Sequence, residues 1–153
     1  MASHVDIRAA RSGDLGQIVA IMNAGAVGAR AALEGQDLAP YQDAFKAILD
    51  APEVDIYVAV DADGQVLATY QLTIEKGLAF QGRPRASIES MHTRSDQRGQ
   101  GVGAALVAHA KKLAREKGCC LLQLTSNAQR EDAHRFYQRQ GFEQTHLGFK
   151  FML

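Results

Sequence analysis

The chain has 153 residues, of which 46% are hydrophobic and 22% are charged. This composition excludes an intrinsically disordered protein and is typical of one globular domain, which we expect to span residues 1–153. Seventeen basic residues balance 17 acidic ones, so the formal net charge is zero. A protein whose main role is to grip nucleic acid needs an excess of positive charge, and we therefore expect no nucleic-acid partner.

The two cysteines, Cys119 and Cys120, are adjacent in the chain. Neighbouring Cα atoms lie about 3.8 Å apart, closer than the roughly 4.4–6.8 Å that a disulfide spans. Unpaired thiols favour a reducing compartment. No cluster of His and carboxylate residues accompanies the pair, so we expect no metal site. The N-terminus lacks the apolar stretch of a secretory signal and no apolar run could span a membrane, so we expect a cytoplasmic protein without a membrane partner.

Hydrophobic periodicity predicts two helices and a β-hairpin in the first half of the chain. Ser12 is expected to cap the first helix, with Asp14 in its first turn. The Ala- and Gly-rich stretch 25–36 gives no clear pattern. The expected elements are a strand over 5–8, a helix from Ser12, a helix over 41–49 with Phe45, Ile48 and Leu49 facing the core, and hairpin strands over 56–60 and 66–74.

Strands and helices alternate in the second half of the chain. The expected elements are a strand over 86–93, a helix that follows Gly103 and ends near Gly118, a buried strand over 119–125, a helix over 131–140 and a final strand over 142–153. Antiparallel pairing early in the chain and a strand–helix–strand crossover later predict an α/β domain with a mixed sheet.

Three glycines occupy alternate positions in the segment Arg98-Gly99-Gln100-Gly101-Val102-Gly103-Ala104, between a predicted strand and a predicted helix. Glycines permit a tight turn and the close approach of an anion, which the free amides of the first helical turn then bind. The segment therefore predicts a phosphate site, and a glycine-rich turn without a ligand is the alternative. The glycine spacing fits neither the Rossmann fingerprint nor the P-loop.

This segment resembles the R-x-x-G-x-G signature of the GNAT superfamily of N-acetyltransferases, with Arg98, Gly101 and Gly103 at the signature positions. Residues 133–142 (A-H-R-F-Y-Q-R-Q-G-F) resemble the A-x-x-F-Y-x-x-x-G-F motif of the family, and residues 88–93 resemble its central strand. The resemblance implies a single-domain GNAT-like fold, which is a mixed, mostly antiparallel central sheet with a splayed pair of parallel strands and flanking helices.

The resemblance also implies that the chain binds acetyl-CoA. Backbone amides of the glycine-rich segment would hold the pyrophosphate, and the end of the central strand would pair with the pantetheine arm. A polar residue after the next strand would lie beside that arm. The residues implied are Met91, His92 and Thr93 on the strand, Arg98, Gly99, Gln100, Gly101, Val102, Gly103 and Ala104 in the segment, and Asn127.

Two residues are candidates for catalysis. Tyr137 matches the tyrosine of the family that protonates the departing thiolate as a general acid, and the alternative is a packing ring beside Phe136. Glu89, on the central strand, is the candidate base that takes a proton from the incoming ammonium through a water. The alternative for Glu89 is a carboxylate paired with Arg83 or Arg85.

The activity implied is N-acetylation, in which the primary amine of a small molecule attacks the thioester directly. A non-catalytic acyl-CoA-binding module on the same fold is the alternative. Residues 25–49 and 79–85 are expected to select the acceptor, which the sequence does not identify. The apolar end of the final strand, residues 149–153, predicts a homodimer that covers it.

Overall fold

A computed structural model describes residues 5–153. The first four residues, part of the N-terminus for which no secretory signal is expected, lie outside this range. The strands are β1 (Asp6–Ala9), β2 (Val54–Val60), β3 (Val66–Glu75), β4 (Arg85–Thr93) and β5 (Leu122–Leu124). The helices are α1 (Leu15–Ala24), α2 (Ala29–Leu33), α3 (Ala39–Asp50), α4 (Val102–Glu116) and α5 (Glu131–Arg139). Within residues 5–153, no helix is both long enough and apolar enough to cross a membrane.

The strands form one sheet in the order β1-β2-β3-β4-β5, and helices cover both of its faces. β1 to β4 pair antiparallel, whereas β4 and β5 pair parallel. α4 packs on one face, where Tyr70, Leu72 and Leu106 share a buried cluster. α1 and α3 pack on the other face, where Ile18 and Phe45 belong to a second cluster. This arrangement confirms the predicted mixed sheet with flanking helices.

The parallel pairing of β4 with β5 is short. It joins residues 86–88 of β4 to β5 and then ends. β4 continues to Thr93, paired with β3 alone. The two strands therefore diverge, and residues 89–93 have no strand on their β5 side. This confirms the splayed parallel pair that the family resemblance implies.

The first helix begins later than the sequence predicts. Ser12 lies in a short 3-10 turn and makes no capping hydrogen bond, and α1 starts at Leu15. The buried Asp14 carboxylate instead accepts hydrogen bonds from the Arg11 amide at 2.7 Å and from the Arg8 guanidinium at 2.7 and 3.0 Å. The hydrogen bonds from Arg8 lower the pKa of Asp14. This ion pair ties β1 to the start of α1.

Three expectations for buried segments are wrong. The predicted strand over 119–125 is reduced to the three half-buried residues of β5, because the chain diverges from β4 after Leu124. The predicted final strand over 142–153 is absent, since no strand of residues 5–153 lies beside that segment to accept and donate its backbone hydrogen bonds. Leu49, predicted to face the core, is 58% exposed at the end of α3.

We expect Asp14→Ala to lower the free energy of unfolding by about 2–3 kcal/mol at pH 7, because it removes a hydrogen-bonded, largely buried ion pair. The pKa of Asp14 is lowered from 3.8, so its stabilisation is present above that value and is lost as the pH falls through the lower, folded-state value. Urea unfolding of Asp14→Ala and wild type should therefore converge in strong acid. Asp43→Ala, an exposed aspartate on α3, is the control, and an equal loss there would contradict the ion-pair assignment.

Candidate active site

The free edge of β4 is the first component of the site. Beyond the end of the β4–β5 pairing, Met91, His92 and Thr93 present their backbone to the cleft between the diverging strands. On the other side His92 pairs with Thr69 and Thr93 pairs with Ala68 of β3. The predicted pantetheine-binding residues are thus held by β3 and are open on the side where an extended ligand could add as a strand.

A bulge interrupts β4 at the start of this free edge. Ser90 has φ of 50°, and the register with β3 shifts between Thr69 and Gln71, so that Ser90 and Met91 lie opposite Tyr70. A non-glycine residue with a left-handed backbone conformation costs about 1–2 kcal/mol. The conformation is maintained here because the residues on either side are paired with β3. The bulge redirects the Met91 amide out of the regular ladder. A strained backbone at the apex of a cleft is a mark of a functional site.

The glycine-rich segment forms the second component. Gly99 and Gly101 have φ of 74° and 84°, and no atom lies within 4 Å of the position that a Cβ would take on either. The first amide of α4 with a backbone acceptor is that of Ala105, which donates to the Gly101 carbonyl. The amides before it in the first turn are free to bind an anion. Open space, positive φ and free amides coincide, so the segment fits a pyrophosphate.

Gly103 is required for a different reason. A Cβ at Gly103 would lie 3.2 Å from Cζ of Phe136 and 3.8 Å from Oγ1 of Thr93. This glycine allows α5 to approach the first turn of α4, and it does not line open space. The two predicted motifs are therefore in direct contact, although the sequence separates them by a helix and a strand.

Tyr137 follows Phe136 on α5 and is enclosed by aromatic rings. Its centroid lies 5.1 Å from that of Phe136 and 5.8 Å from that of Phe142, both edge-on. Burial raises the pKa of Tyr137, against an opposing effect of the nearby Arg130 charge. The phenol is therefore protonated at neutral pH, as a general acid must be. The ring packing and the acid role are compatible, since the rings hold the phenol in place.

Glu89 is exposed on β4, opposite Gln71 of β3. The alternative of an ion pair with Arg83 or Arg85 is not found. Arg85 lies 3.8 Å from Glu75, and Arg83 donates to the carbonyl of Cys119. Within the described chain Glu89 thus has no cationic partner and remains at the start of the cleft.

A polar network that sequence reasoning missed lies on the Glu89 face of the sheet. The Ser87 hydroxyl donates to the Glu75 carboxylate at 2.9 Å. The Gln123 amide donates to Glu75 at 3.3 Å and to Ser87 at 3.2 Å. Ser87 and Glu89 are two positions apart on β4 and share a face. The network joins three strands below Glu89, and its only signal in the sequence is an alternation of polar residues.

His92 is buried beneath the loop that follows α1. A Cβ on Gly25 would lie 2.4 Å from its Nδ1, and its Nε2 is 3.5 Å from a guanidinium nitrogen of Arg30. Burial lowers the pKa of His92 to about 4, and the charges of Arg130, Arg30 and Arg98 add to the effect. The imidazole is therefore neutral at pH 7. The charges of three arginines thus act on this end of β4, although the net charge of the chain is zero.

Arg30 explains the stretch that gave no pattern in the sequence. Residues 25–36 contain the short helix α2, and Arg30 on it donates to the Met22 carbonyl and to Glu34. The other oxygen of Glu34 accepts a hydrogen bond from the Tyr41 hydroxyl of α3. Side-chain hydrogen bonds to α1 and α3, and not helix propensity, hold this segment over the site.

Asn127 lies at the turn before α5. Its side-chain oxygen accepts a hydrogen bond from the Gln129 amide, and its carbonyl oxygen lies 2.8 Å from Nε2 of His134. Its amide nitrogen would be 3.2 Å from a Cβ on Gly28. The structure thus brings Asn127 beside the α1–α2 loop, where it stabilises the turn. Its predicted contact with the pantetheine arm stays a prediction.

A cavity of about 140 Å³ lies between α1, α3 and the sheet. Its walls are largely apolar and include Ile18, Met22 and Phe45, while Gln71 and Ser90 add polar groups from the sheet. The cavity therefore reaches the bulge of β4 from the side opposite α4.

The family follows from comparison with known proteins. The model of the acetyltransferase (GNAT) family matches residues 28–142, and the chain therefore belongs to the GNAT family. Membership confirms the predicted fold, the acyltransferase activity and acetyl-CoA as the acyl donor. The alternative of a non-catalytic module on this fold is not supported.

Individual relatives agree with this assignment. An aminoalkylphosphonate N-acetyltransferase of Salmonella typhimurium is 34% identical over 113 residues, which cover 74% of this chain and 72% of the relative. An aminoglycoside N(6')-acetyltransferase type 1 of Stenotrophomonas maltophilia is 26% identical over 108 residues, covering 69% and 70%. A crystal structure from Bacillus halodurans, described as a transcriptional regulator, has 40% identity and a TM-score of 0.91, covering 98% of this chain and 100% of that one. The two named transferases act on small amines.

We expect Gly101→Ala to weaken acetyl-CoA binding by 10-fold or more in a folded protein, because its Cβ would enter the open space beside the free amides. Gly118→Ala is a matched control at the other end of α4, with φ of 72° and nothing within 4 Å of a Cβ. Both variants carry the same backbone strain of about 1–2 kcal/mol, but only the first lies at the phosphate turn. Calorimetric titration with acetyl-CoA measures the difference. Equal affinities would remove the phosphate role of this segment.

Proposed function

We propose that the chain acetylates the primary amine of a small molecule that also carries an anionic group, such as a phosphonate. Two observations support the acceptor class: the Arg30 guanidinium lies 3.5 Å from Nε2 of the buried His92, and the charges of Arg130, Arg30 and Arg98 help to lower the pKa of His92. The coarser activity, transfer of an acetyl group from acetyl-CoA, belongs to the family. The proposal adds the acceptor chemistry and the roles of individual residues.

The acyl donor is proposed to lie along the free edge of β4. The amides of residues 98–104 hold its pyrophosphate, and the backbone of Met91, His92 and Thr93 pairs with the pantetheine arm. This path ends at the bulge, which puts the thioester beside the Met91 amide. That amide is proposed to stabilise the negative charge that develops on the carbonyl oxygen.

Glu89 and Tyr137 are proposed to move the protons. The acceptor arrives as an ammonium ion, and the exposed carboxylate of Glu89 takes its proton through a water. The amine nitrogen then attacks the carbonyl carbon and the new C–N bond forms; as the C–S bond breaks, the nitrogen releases its second proton to solvent. The Tyr137 phenol donates its proton to the leaving thiolate and is later reprotonated from solvent, and Glu89 releases its proton to solvent. No residue forms a covalent intermediate.

The charges near His92 favour an anionic acceptor over a polycationic one. Arg30 is paired with Glu34, but no carboxylate of the described residues forms an ion pair with Arg98 or Arg130. Arg98 belongs to the phosphate segment, which leaves Arg130. Arg130 directly precedes α5, the helix of Tyr137, and its charge lowers the pKa of both His92 and Tyr137. An aminoalkylphosphonate carries the complementary charge, whereas an aminoglycoside would meet repulsion.

A panel of amines tests the acceptor class. We expect kcat/KM for 2-aminoethylphosphonate to exceed that for ethanolamine and for kanamycin by 10-fold or more, measured as thiol release from acetyl-CoA. Arg130→Gln should raise KM for the phosphonate and leave the ethanolamine reaction unchanged. Arg135→Gln, an exposed arginine one turn along, is the control. Preference for kanamycin would refute the anionic class, and no thiol release from any amine would refute the transferase proposal.

Tyr137→Phe and Glu89→Gln should give different pH profiles. Tyr137→Phe removes one hydroxyl and keeps the ring packing, so we expect acetyl-CoA affinity to hold while kcat falls by about 10²–10⁴. Glu89→Gln should lose most activity at low pH, where the acceptor is protonated, and recover part of it as the pH rises. Tyr57→Phe, a ring that packs on Tyr70 and His109, controls for loss of a hydroxyl.

The outcome that contradicts these roles is specific to each residue. If Tyr137→Phe keeps wild-type kcat when chemistry limits the rate, Tyr137 is a packing residue. If Glu89→Gln lowers activity equally at every pH, Glu89 does not act as the base.

The cytoplasmic location of the protein is still a prediction, which fractionation of cells would check.

A further inference from the structure

The cavity between α1, α3 and the sheet is large for a domain of this size, since close packing rarely leaves a void bigger than a water molecule. Its volume of about 140 Å³ is similar to that of an engineered apolar cavity of roughly 150 Å³ that binds benzene. Its walls include Leu15, Ile18, Val19 and Phe45, whose side chains offer no hydrogen bonds to water. A group that fills this cavity is therefore apolar.

One end of the cavity lies at the proposed reaction centre. Ser90, the residue with positive φ in the β4 bulge, lines the cavity together with Gln71 of β3. Gln71 pairs with Ile56, which packs on the core cluster under α1 and α3, and on its other side Gln71 lies opposite Glu89. Directly opposed residues of antiparallel strands share a face. The exposed Glu89 carboxylate therefore lies on the same face of the sheet as the cavity.

The helical wall of the cavity is connected to Arg30. Met22 and Tyr41 both line the cavity. The Arg30 guanidinium donates to the Met22 carbonyl at 3.0 Å and to the Glu34 carboxylate at 2.8 Å, and Glu34 accepts a hydrogen bond from the Tyr41 hydroxyl. The cavity thus lies between the bulge of β4 and a guanidinium held by two of its lining residues.

We propose that the cavity binds an apolar side chain on the amine-bearing carbon of the acceptor. The side chain has about four to six carbon atoms, because a cavity of this volume holds one benzene molecule. The amine lies beside Glu89 in the proposed reaction, so a further group on the same carbon reaches past Ser90 into the cavity. The inference rests on the proposed function for the position of the amine, and it adds a shape to the charge of the acceptor.

The acyl donor is a poorer occupant of the cavity. It approaches along the free edge of β4 from the phosphate segment before α4, whereas the cavity lies on the α1 and α3 face of the sheet. The methyl group of acetyl-CoA is also too small to fill about 140 Å³. The acceptor approaches on the face where Glu89 lies, and its side chain is the group that meets the cavity.

The size of the acceptor side chain should therefore control the rate. Each methylene buried in an apolar site raises affinity by about fourfold, and a group larger than the cavity is rejected. We expect kcat/KM to rise with side-chain size until the cavity is full and then to fall. The contacts of Glu89 and Arg30 are the same throughout such a series, so the trend isolates the cavity.

Leucinol and alaninol differ only in the group on the amine-bearing carbon, which is isobutyl in the first and methyl in the second. We expect kcat/KM for leucinol to exceed that for alaninol of the same configuration by about 10-fold or more, measured as thiol release from acetyl-CoA. A ratio near one would overturn the inference. If neither alcohol releases thiol, calorimetric titration decides in its place, and equal affinities would overturn the inference.

A matched pair of variants on α3 tests the position of the subsite. Ala44 is exposed and lines the cavity, so Ala44→Leu fills part of it without disturbing the buried core and should remove the advantage of leucinol. Ala47→Leu is the control, since Ala47 is exposed about one turn along α3 and lies outside the cavity, and it should keep the advantage. Met22→Ala enlarges the cavity and should shift the preference to phenylalaninol. An unchanged ratio of leucinol to alaninol in a folded Ala44→Leu protein would overturn the inference.

The phosphonate analogues of leucine and alanine separate this inference from the anionic acceptor class. If the larger side chain is preferred but phosphonates react no faster than alcohols, the anionic class fails and the subsite stands. If phosphonates react faster but the larger side chain gives no gain, the subsite fails and the anionic class stands. Isovaleryl-CoA tests the donor as the occupant. A faster reaction than with acetyl-CoA, together with equal rates for the two alcohols, would assign the cavity to the acyl chain and overturn the inference.

Discussion

Three residue pairs hold β4 and β5 together, and the site depends on where that pairing stops. Had the parallel ladder continued, the backbone of residues 89–93 would be fully paired and unable to receive an extended ligand. The bulge at Ser90 lies just beyond the last pair and turns the Met91 amide out of the ladder. The cleft, the bulge and the first turn of α4 are therefore successive consequences of one interrupted pairing.

The electrostatics of the site depend on the local distribution of charged side chains more than on the net charge of the chain. The chain is neutral overall, yet Arg30, Arg98 and Arg130 all act on the single buried imidazole of His92. Glu34 is paired with Arg30, whereas Glu89 forms no ion pair within the described chain. Glu89 lies opposite Gln71 and His92 lies opposite Thr69, so the bulge puts the Glu89 carboxylate and His92 on one face of the sheet.

The sequence predicts the elements whose pattern is local. The apolar stripe of Val102, Leu106 and Ala110 identifies α4, and the glycines on either side of it mark its ends. The length of β5 could not be predicted, because it is set by the point at which the chain diverges from β4. Likewise the hydrogen bond between Gln123 and Glu75 depends on the order of the strands in the sheet, which the local sequence pattern does not reveal.

The same distinction separates the site residues that the sequence predicts from those that it misses. The motifs around Gly101 and Tyr137 are contiguous and could be found by their spacing. Arg130 lies between them but belongs to no motif, and its effect on His92 arises from the fold alone. The 142–153 segment is the opposite case, since its sequence predicts a strand and the structure forms none there.

The contact between Gly103 and Phe136 limits how this sequence can change over evolution. A methyl group at position 103 would press on the ring, so any larger residue there requires a smaller one at 136. A smaller residue at 136 would in turn loosen the aromatic packing that holds Tyr137. The two positions are therefore expected to vary together among relatives. A substitution at position 103 or 136 is therefore expected to persist only when the other position changes as well.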